Sequence, residues 1–214
     1  MTHSFYKGKV KVADSHWDRF IEHKTAWKFC KRCGLHKTRK RVVFFRGRIP
    51  ADVALIGEAP GEAEDSIGIP FCGPAGHLLD RIIQGAVAKI QLADPNWKVN
   101  HGWPVKLCIF NLVNCFPRDV DPDELSSGSI RQPGREEIEA CRPRLLEFIK
   151  LVEPRAIVTL GALAKKNVPP ELDAVPIIHP AAILRQSDHQ AALSIKRAVL
   201  TLVEVFRSVA KVGT

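Results

Sequence analysis

The stretch from Asp52 to Asp80, DVALIGEAPGEAEDSIGIPFCGPAGHLLD, constrains the fold of this 214-residue chain more than any other. Its apolar run at 53–56 is short and uninterrupted, the pattern of a strand buried on both faces. Gly57 ends the run, and a loop follows that carries Glu58, Glu62, Glu64, Asp65 and one aromatic, Phe71. Pro74 then opens a helix over 74–91, with Leu78, Leu79, Ile82, Ile83 and Val87 on one side. Strand, glycine-rich loop and helix, in that order, form a ligand crevice at the carboxyl ends of a parallel sheet. The loop is acidic and has no lysine, which excludes a phosphate cradle of the GxxxxGK type.

The rest of the chain repeats the alternation. Ser15 is placed to cap a helix running through Trp17, Phe20, Ile21 and Trp27. Strands are expected at 42–45, 107–113, 156–160 and 175–178, and helices over 135–152, after Gly161, and from Ser187-Asp188 onward. The last helix buries Ile195, Val199, Leu202, Phe206 and Val209. Residues 1–14 read as a polar arm and 15–214 as one domain, with no internal repeat. A turn-rich connection with two tryptophans fills 93–106, and a long polar loop follows Pro117 as far as Gly134. Strands alternating with helices predict an α/β fold with a parallel sheet covered on both faces.

The net charge of +9 favours a polyanionic partner. No apolar run has the roughly 20 residues needed to cross a bilayer, and the amino terminus lacks a signal-peptide core. A cytoplasmic, monomeric protein is expected, with its six cysteines serving as thiols or metal ligands rather than disulfides. Cys30 and Cys33 form a CxxC pair, Cys115 follows a strand and Cys141 sits in a helix. Such distant positions do not suit a zinc finger; they suit an iron–sulfur cluster, an irregular zinc site, or unrelated buried thiols. Polar groups collect at strand ends: Glu58 to Asp65, Asn111, and His179.

These residues carry a resemblance. GEAPGEAEDSIGIPFCGPAGHLLD (57–80), NLVNC (111–115), HPAAILR (179–185), the CxxC at 30–33 and Cys141 resemble the family 4 uracil-DNA glycosylases, from Cys30 to the carboxyl terminus. The resemblance implies a three-layer α/β/α sandwich around a central four-stranded parallel sheet. It also implies a structural 4Fe–4S cluster held by Cys30, Cys33, Cys115 and Cys141, and uracil-containing DNA, single- or double-stranded, as partner.

The roles it implies make chemical sense. A base stacked in a duplex must be flipped out to be reached. Phe71 would stack on it, Asn111 would read its edge, and the backbone of Gly57, Ala59 and Gly61 would hold the O2 side. His179 would donate to O2 as the base leaves as an anion. Related enzymes without a cluster carry an aspartate where Ala59 stands, so Glu58, Glu64 or Asp65 is left to handle the attacking water, with Glu58 favoured and Glu64 as a pocket wall. Lys31, Arg32, His36, Lys37, Arg39, Lys40, Arg41 and Arg185 are candidates for phosphate contacts, and Ile183 with Leu184 for the wedge that fills the gap.

Three departures stand out. Asn114 replaces a usual basic residue, softening a phosphate contact; Cys72 replaces a common valine; and no histidine lies between Cys115 and Cys141, so ordinary turnover without a covalent sugar adduct is expected. A non-catalytic iron–sulfur DNA-binding module, or a glycosylase for hypoxanthine or xanthine, remains as an alternative reading.

Overall fold

The computed structural model describes residues 15–95, 97, 105–119 and 131–210. The arm at 1–14, most of the tryptophan-bearing connection and residues 120–130 of the polar loop lie outside the described residues.

The strands are β1 (Phe45–Gly47), β2 (Val53–Gly57), β3 (Leu107–Asn111), β4 (Ala156–Leu160) and β5 (Val175–Ile177). They form one sheet in the order β1-β3-β2-β4-β5. β3, β2, β4 and β5 run parallel, while β1 pairs antiparallel with β3 through Phe45↔Phe110 and Gly47↔Cys108. The expected four-stranded parallel sheet is therefore corrected to a five-stranded mixed one. The four parallel strands are present, and an antiparallel strand extends their edge.

The strand expected at 42–45 is also displaced, since only Phe45 joins β1. Val43 donates instead to the Asn114 carbonyl at 2.8 Å, past the end of β3. That run is apolar because it is buried, which does not oblige it to enter a ladder.

The helices are α1 (His16–Trp27), α2 (Glu62–Ile67), α3 (Pro74–Ala93), α4 (Arg135–Val152), α5 (Ala162–Asn167), α6 (Pro180–Ile183) and α7 (Asp188–Ala210). Along the strands, alternate residues feed opposite cores. Ala54, Ile56, Cys108, Phe110 and Ile157 meet Phe20 of α1 and Leu145 and Phe148 of α4. Val53, Leu55, Ile109, Val158 and Leu160 meet Leu79 and Ile82 of α3 and Leu202 and Phe206 of α7. Each Leu or Ile buried in this way contributes about 1.5–3 kcal/mol. No helix among the described residues is long and apolar enough to cross a membrane.

Local chemistry fixes the ends. Ser15 Oγ accepts from the Asp18 amide at 3.1 Å while the Asp18 carboxylate accepts from the Ser15 amide at 3.3 Å, a reciprocal cap worth about 1 kcal/mol. The Trp27 indole then ties α1 to α4 through Glu147 at 2.7 Å. The acidic stretch read as a loop contains α2. Its acids Glu62, Glu64 and Asp65 occupy the first turn, where the positive end of the helix dipole favours them.

Helix α3 comes so close to the preceding chain that a side chain at Gly76 would collide with the Phe71 carbonyl. Gly76→Ala must push that backbone away. We expect a loss of about 1–3 kcal/mol, read as a lower urea midpoint with unchanged slope; an unaltered midpoint would show that the segment shifts freely.

Candidate active site and cysteine centre

The carboxyl ends of the parallel strands open onto a cleft of about 1040 Å³. Glu58, Ala59 and Gly61 enter it after β2, Asn111 at the end of β3, Gly161 after β4 and His179 after β5. Phe71, Glu64 and Arg185 complete the group. Gly57 lies beneath: a side chain there would strike both the Asn111 amide oxygen and the Phe71 ring. Its missing side chain lets those two groups converge.

Phe71 holds a left-handed backbone (φ 55°), uncommon for a bulky residue, and its carbonyl lies against Gly76 of α3. Its ring centre is 6.1 Å from that of His179. The Asn111 side chain is 1% exposed, and its Oδ1 has no hydrogen-bond partner. A buried amide oxygen without a partner is costly, and one beside a cleft is poised for a ligand donor.

His179 caps α6, its Nδ1 accepting from the Ala181 amide at 3.1 Å. Burial, with Arg185 adding to it, lowers its pKa to about 4. The ring is therefore neutral near pH 7, and with Nδ1 accepting, Nε2 carries the proton. Gly161, at φ 93°, presses against this histidine, leaving no ordinary room for a side chain.

The acids divide by environment. Burial raises the Glu58 carboxyl above its ordinary range, while a hydrogen bond from Gln132 Nε2 at 3.2 Å and the charge of Arg185 pull it down. Glu64 accepts from the amides of Gly61 and Gly73 at 3.0 and 3.3 Å, clamping the two ends of the 61–73 segment. Asp65 is turned away from the cleft. It is 1% exposed and accepts from the amides of Lys40 and Arg41 at 3.0 and 3.2 Å, stitching the acidic segment to the basic run.

The basic run is less uniform than its sequence. Arg39 turns inward, donating to the Cys30 carbonyl at 2.7 Å and toward Cys115 Sγ at 3.5 Å. Arg41 Nε donates to the Ser66 carbonyl and Lys40 Nζ to the Ser66 hydroxyl, whereas Lys37 is exposed. Ile183, read with Leu184 as a wedge, is 1% exposed and lies inside the core, while Leu184 is 48% exposed beside Arg185. Asn114, which stands where a basic residue is usual, is 2% exposed.

Cys30, Cys33, Cys115 and Cys141 share one border of the α1/α4 core. Burial raises the Cys33 thiol, and Cys141 and Cys30 raise it further. Burial pushes Cys115 up to about 12 against the pull of Arg39, with Cys141 and Cys33 again opposing ionisation. Thiols that disfavour one another's charge are thus gathered from three separate segments. Among the described residues, no three His, Cys, Asp or Glu side chains stand close enough to hold a single metal ion. Cys108 is sealed in β3 and Cys72 stands apart beside Phe71.

Two site residues escaped the sequence reading. Arg144, 1% exposed, donates through Nη2 to the carbonyls of Asn111 and Leu112 at 2.9 and 2.6 Å, while its Nε and Nη1 have no partner. It stands one turn after Cys141 on α4 and grips the strand end that presents Asn111. Gln132 reaches Glu58 from just before α4. A lone glutamine in a polar loop and an arginine in an amphipathic helix carry no signal of such partners.

A protein-family model described as the uracil DNA glycosylase superfamily matches residues 44–202. The type-4 uracil-DNA glycosylase of Pyrobaculum aerophilum is 37% identical over 65% of this chain and 59% of its own length. That of Saccharolobus solfataricus is 38% identical over 62% of this chain and 50% of its own. The chain thus spans between half and three fifths of those two relatives. The type-4 uracil-DNA glycosylase of Thermotoga maritima is 30% identical over 86% of this chain and 91% of its own length. With a family model over most of the chain and a relative matched nearly end to end, the chain belongs to the uracil-DNA glycosylase superfamily, in its type-4 family.

Proposed function

We propose that this protein hydrolyses the N-glycosidic bond of uracil in DNA, single- or double-stranded, leaving an abasic site. The observation that carries this reading is the Asn111 amide, buried, unpartnered at Oδ1 and set at the end of β3 between Phe71 and the carboxyl ends of its neighbours. Uracil presents an N3–H that Oδ1 can accept and an O4 that the amide NH₂ can donate to. Cytosine reverses both groups and would leave buried polar atoms mispaired, a penalty of the size that rejects analogues by about 10⁴.

The base enters flipped, stacks on Phe71, and meets the backbone of Ala59 and Gly61 on its O2 side, with Gly57 beneath. As the glycosidic bond breaks, electrons move onto the base and negative charge grows at O2. His179, neutral and protonated at Nε2, donates to that oxygen without bringing a competing positive charge. Glu58 holds the attacking water at the sugar, and Glu64 keeps the wall in shape through Gly61 and Gly73.

Cys30, Cys33, Cys115 and Cys141, gathered from three segments onto one border of the α1/α4 core, are the donors that a 4Fe–4S cluster takes. Cys30, Cys33, Cys115 and Cys141 would hold it, and its contribution is structural: it ties the segment after α1 and helix α4 to the sheet. Lys37, Arg41 and Arg185 contact phosphates, while Arg39 lies partly spent on the cysteine centre. Leu184 fills the gap left by the base. The protein works as a cytoplasmic monomer and turns over without a covalent adduct.

The decisive assay offers cluster-loaded protein oligonucleotides carrying uracil, hypoxanthine or xanthine, with abasic sites then cleaved by alkali. Cleavage at uracil is expected, and no cleavage at any base would leave only DNA binding. Asn111→Asp should lower uracil cleavage about 10³-fold or more with DNA affinity nearly unchanged. His179→Ala should cost about 10²–10³ in single-turnover rate, with partial recovery in His179→Gln; equal rates would remove the O2 contact. Arg185→Ala should flatten the slope of log affinity against log salt by about one, and an unchanged slope would take Arg185 off the phosphates. Purified protein should be brown, and Cys115→Ala should lose colour and solubility together; a colourless, stable wild type would speak for zinc or no metal.

A further inference from the structure

Gln132 is held as a built part of the site. Its own carbonyl accepts from Arg131 Nη1 at 3.0 Å, and that guanidinium is locked by Glu137 at 2.7 and 2.8 Å and by Asp119 at 3.0 Å. Glu137 in turn accepts from the Gly134 amide at 2.7 Å, at the start of α4. Pro133 restricts the backbone between them. From this braced position the Gln132 amide crosses to Glu58 Oε2 at 3.2 Å, and both residues line the cleft.

We propose that Gln132 is a positioning residue for glycosidic hydrolysis: its amide fixes one carboxylate oxygen of Glu58, so that the carboxylate is aimed when it holds the attacking water. The proposal rests on the role given to Glu58 above. An unfixed carboxylate on a half-buried stem rotates, and a misaimed water costs rate without costing substrate affinity.

The charged and titratable groups that share the cleft with Glu58 are Glu62, Glu64, Arg131, Lys165, His179 and Arg185. Of these, Arg185 acts on the Glu58 carboxyl, in the same direction as Gln132 and against burial. Removing Gln132 leaves Glu58 with a higher pKa. The ionised form is the active one, so the acid limb of the rate profile moves to higher pH.

The test is the single-turnover rate at saturating, cluster-loaded enzyme on a uracil-containing single strand, followed from acid to neutral pH. Gln132→Ala should be slower on the order of tenfold at neutral pH, with its acid limb moved up and DNA affinity unchanged. Gln132→Lys, which restores a donor and adds positive charge, should bring the limb back to the wild-type position or below it. A Gln132→Ala profile that superimposes on wild type, or a Gln132→Lys limb that stays with Gln132→Ala, would overturn the proposal. Glu58→Gln separates the two readings. If it abolishes the rate while Gln132→Ala changes nothing, only the positioning role falls. If it cleaves like wild type, the role of Glu58 falls, and that of Gln132 with it.

Discussion

The space left by the missing side chain of Gly57 is the constraint on which the site depends. β2 is the central strand, buried over its whole length, and at its last residue β3's Asn111 and the Phe71 ring converge. Both groups arrive there under compulsion. Phe71, in a left-handed backbone, rests its carbonyl against Gly76, and Asn111 is held through its carbonyl by Arg144. Each glycine therefore acts by letting a neighbour approach, and the recognition surface comes from main-chain proximity before any side chain chooses a ligand.

Electrostatics then sort groups of similar chemistry into different tasks. Three acids within eight residues of one another end in three environments: Glu58 beside the cleft, Glu64 on two amides, Asp65 on the basic run. Carboxylates that accept backbone N–H groups are structural staples, whereas one partly stripped of water with a single amide partner keeps capacity for chemistry. His179 follows the same logic. Burial keeps it neutral, and the Ala181 amide decides which nitrogen keeps the proton.

Most of the architecture was legible in the sequence because it rests on periodicity and punctuation. Helix α4 begins and ends where the pattern places it, and the Ser15 cap and the Pro74 start follow from local rules. The edge strand and α2 were not. β1 depends on where β3 leaves donors and acceptors, and α2 on a short acidic turn with too few residues to show a period. At the site, Glu58, Phe71, Asn111 and His179 were legible as polar or aromatic groups near strand ends. The pairing of Gln132 with Glu58, across 74 residues of chain, was not, because no local pattern encodes it. The inward turn of Arg39 and the burial of Ile183 were hidden likewise: a run of like residues reads as one surface until the fold assigns each an orientation.

Arg144 carries a consequence for how this chain can vary in length. Cys141 and Arg144 are separated by one turn of α4, the first facing the cysteine centre and the second gripping two carbonyls at the end of β3. A single inserted or deleted residue between them would rotate one against the other by roughly 100°. No surface loop lies between them to absorb that change, since both sit inside the same continuous helix. The spacing of these two residues is therefore a ruler: it sets the distance from the cysteine centre to the end of β3 that carries Asn111.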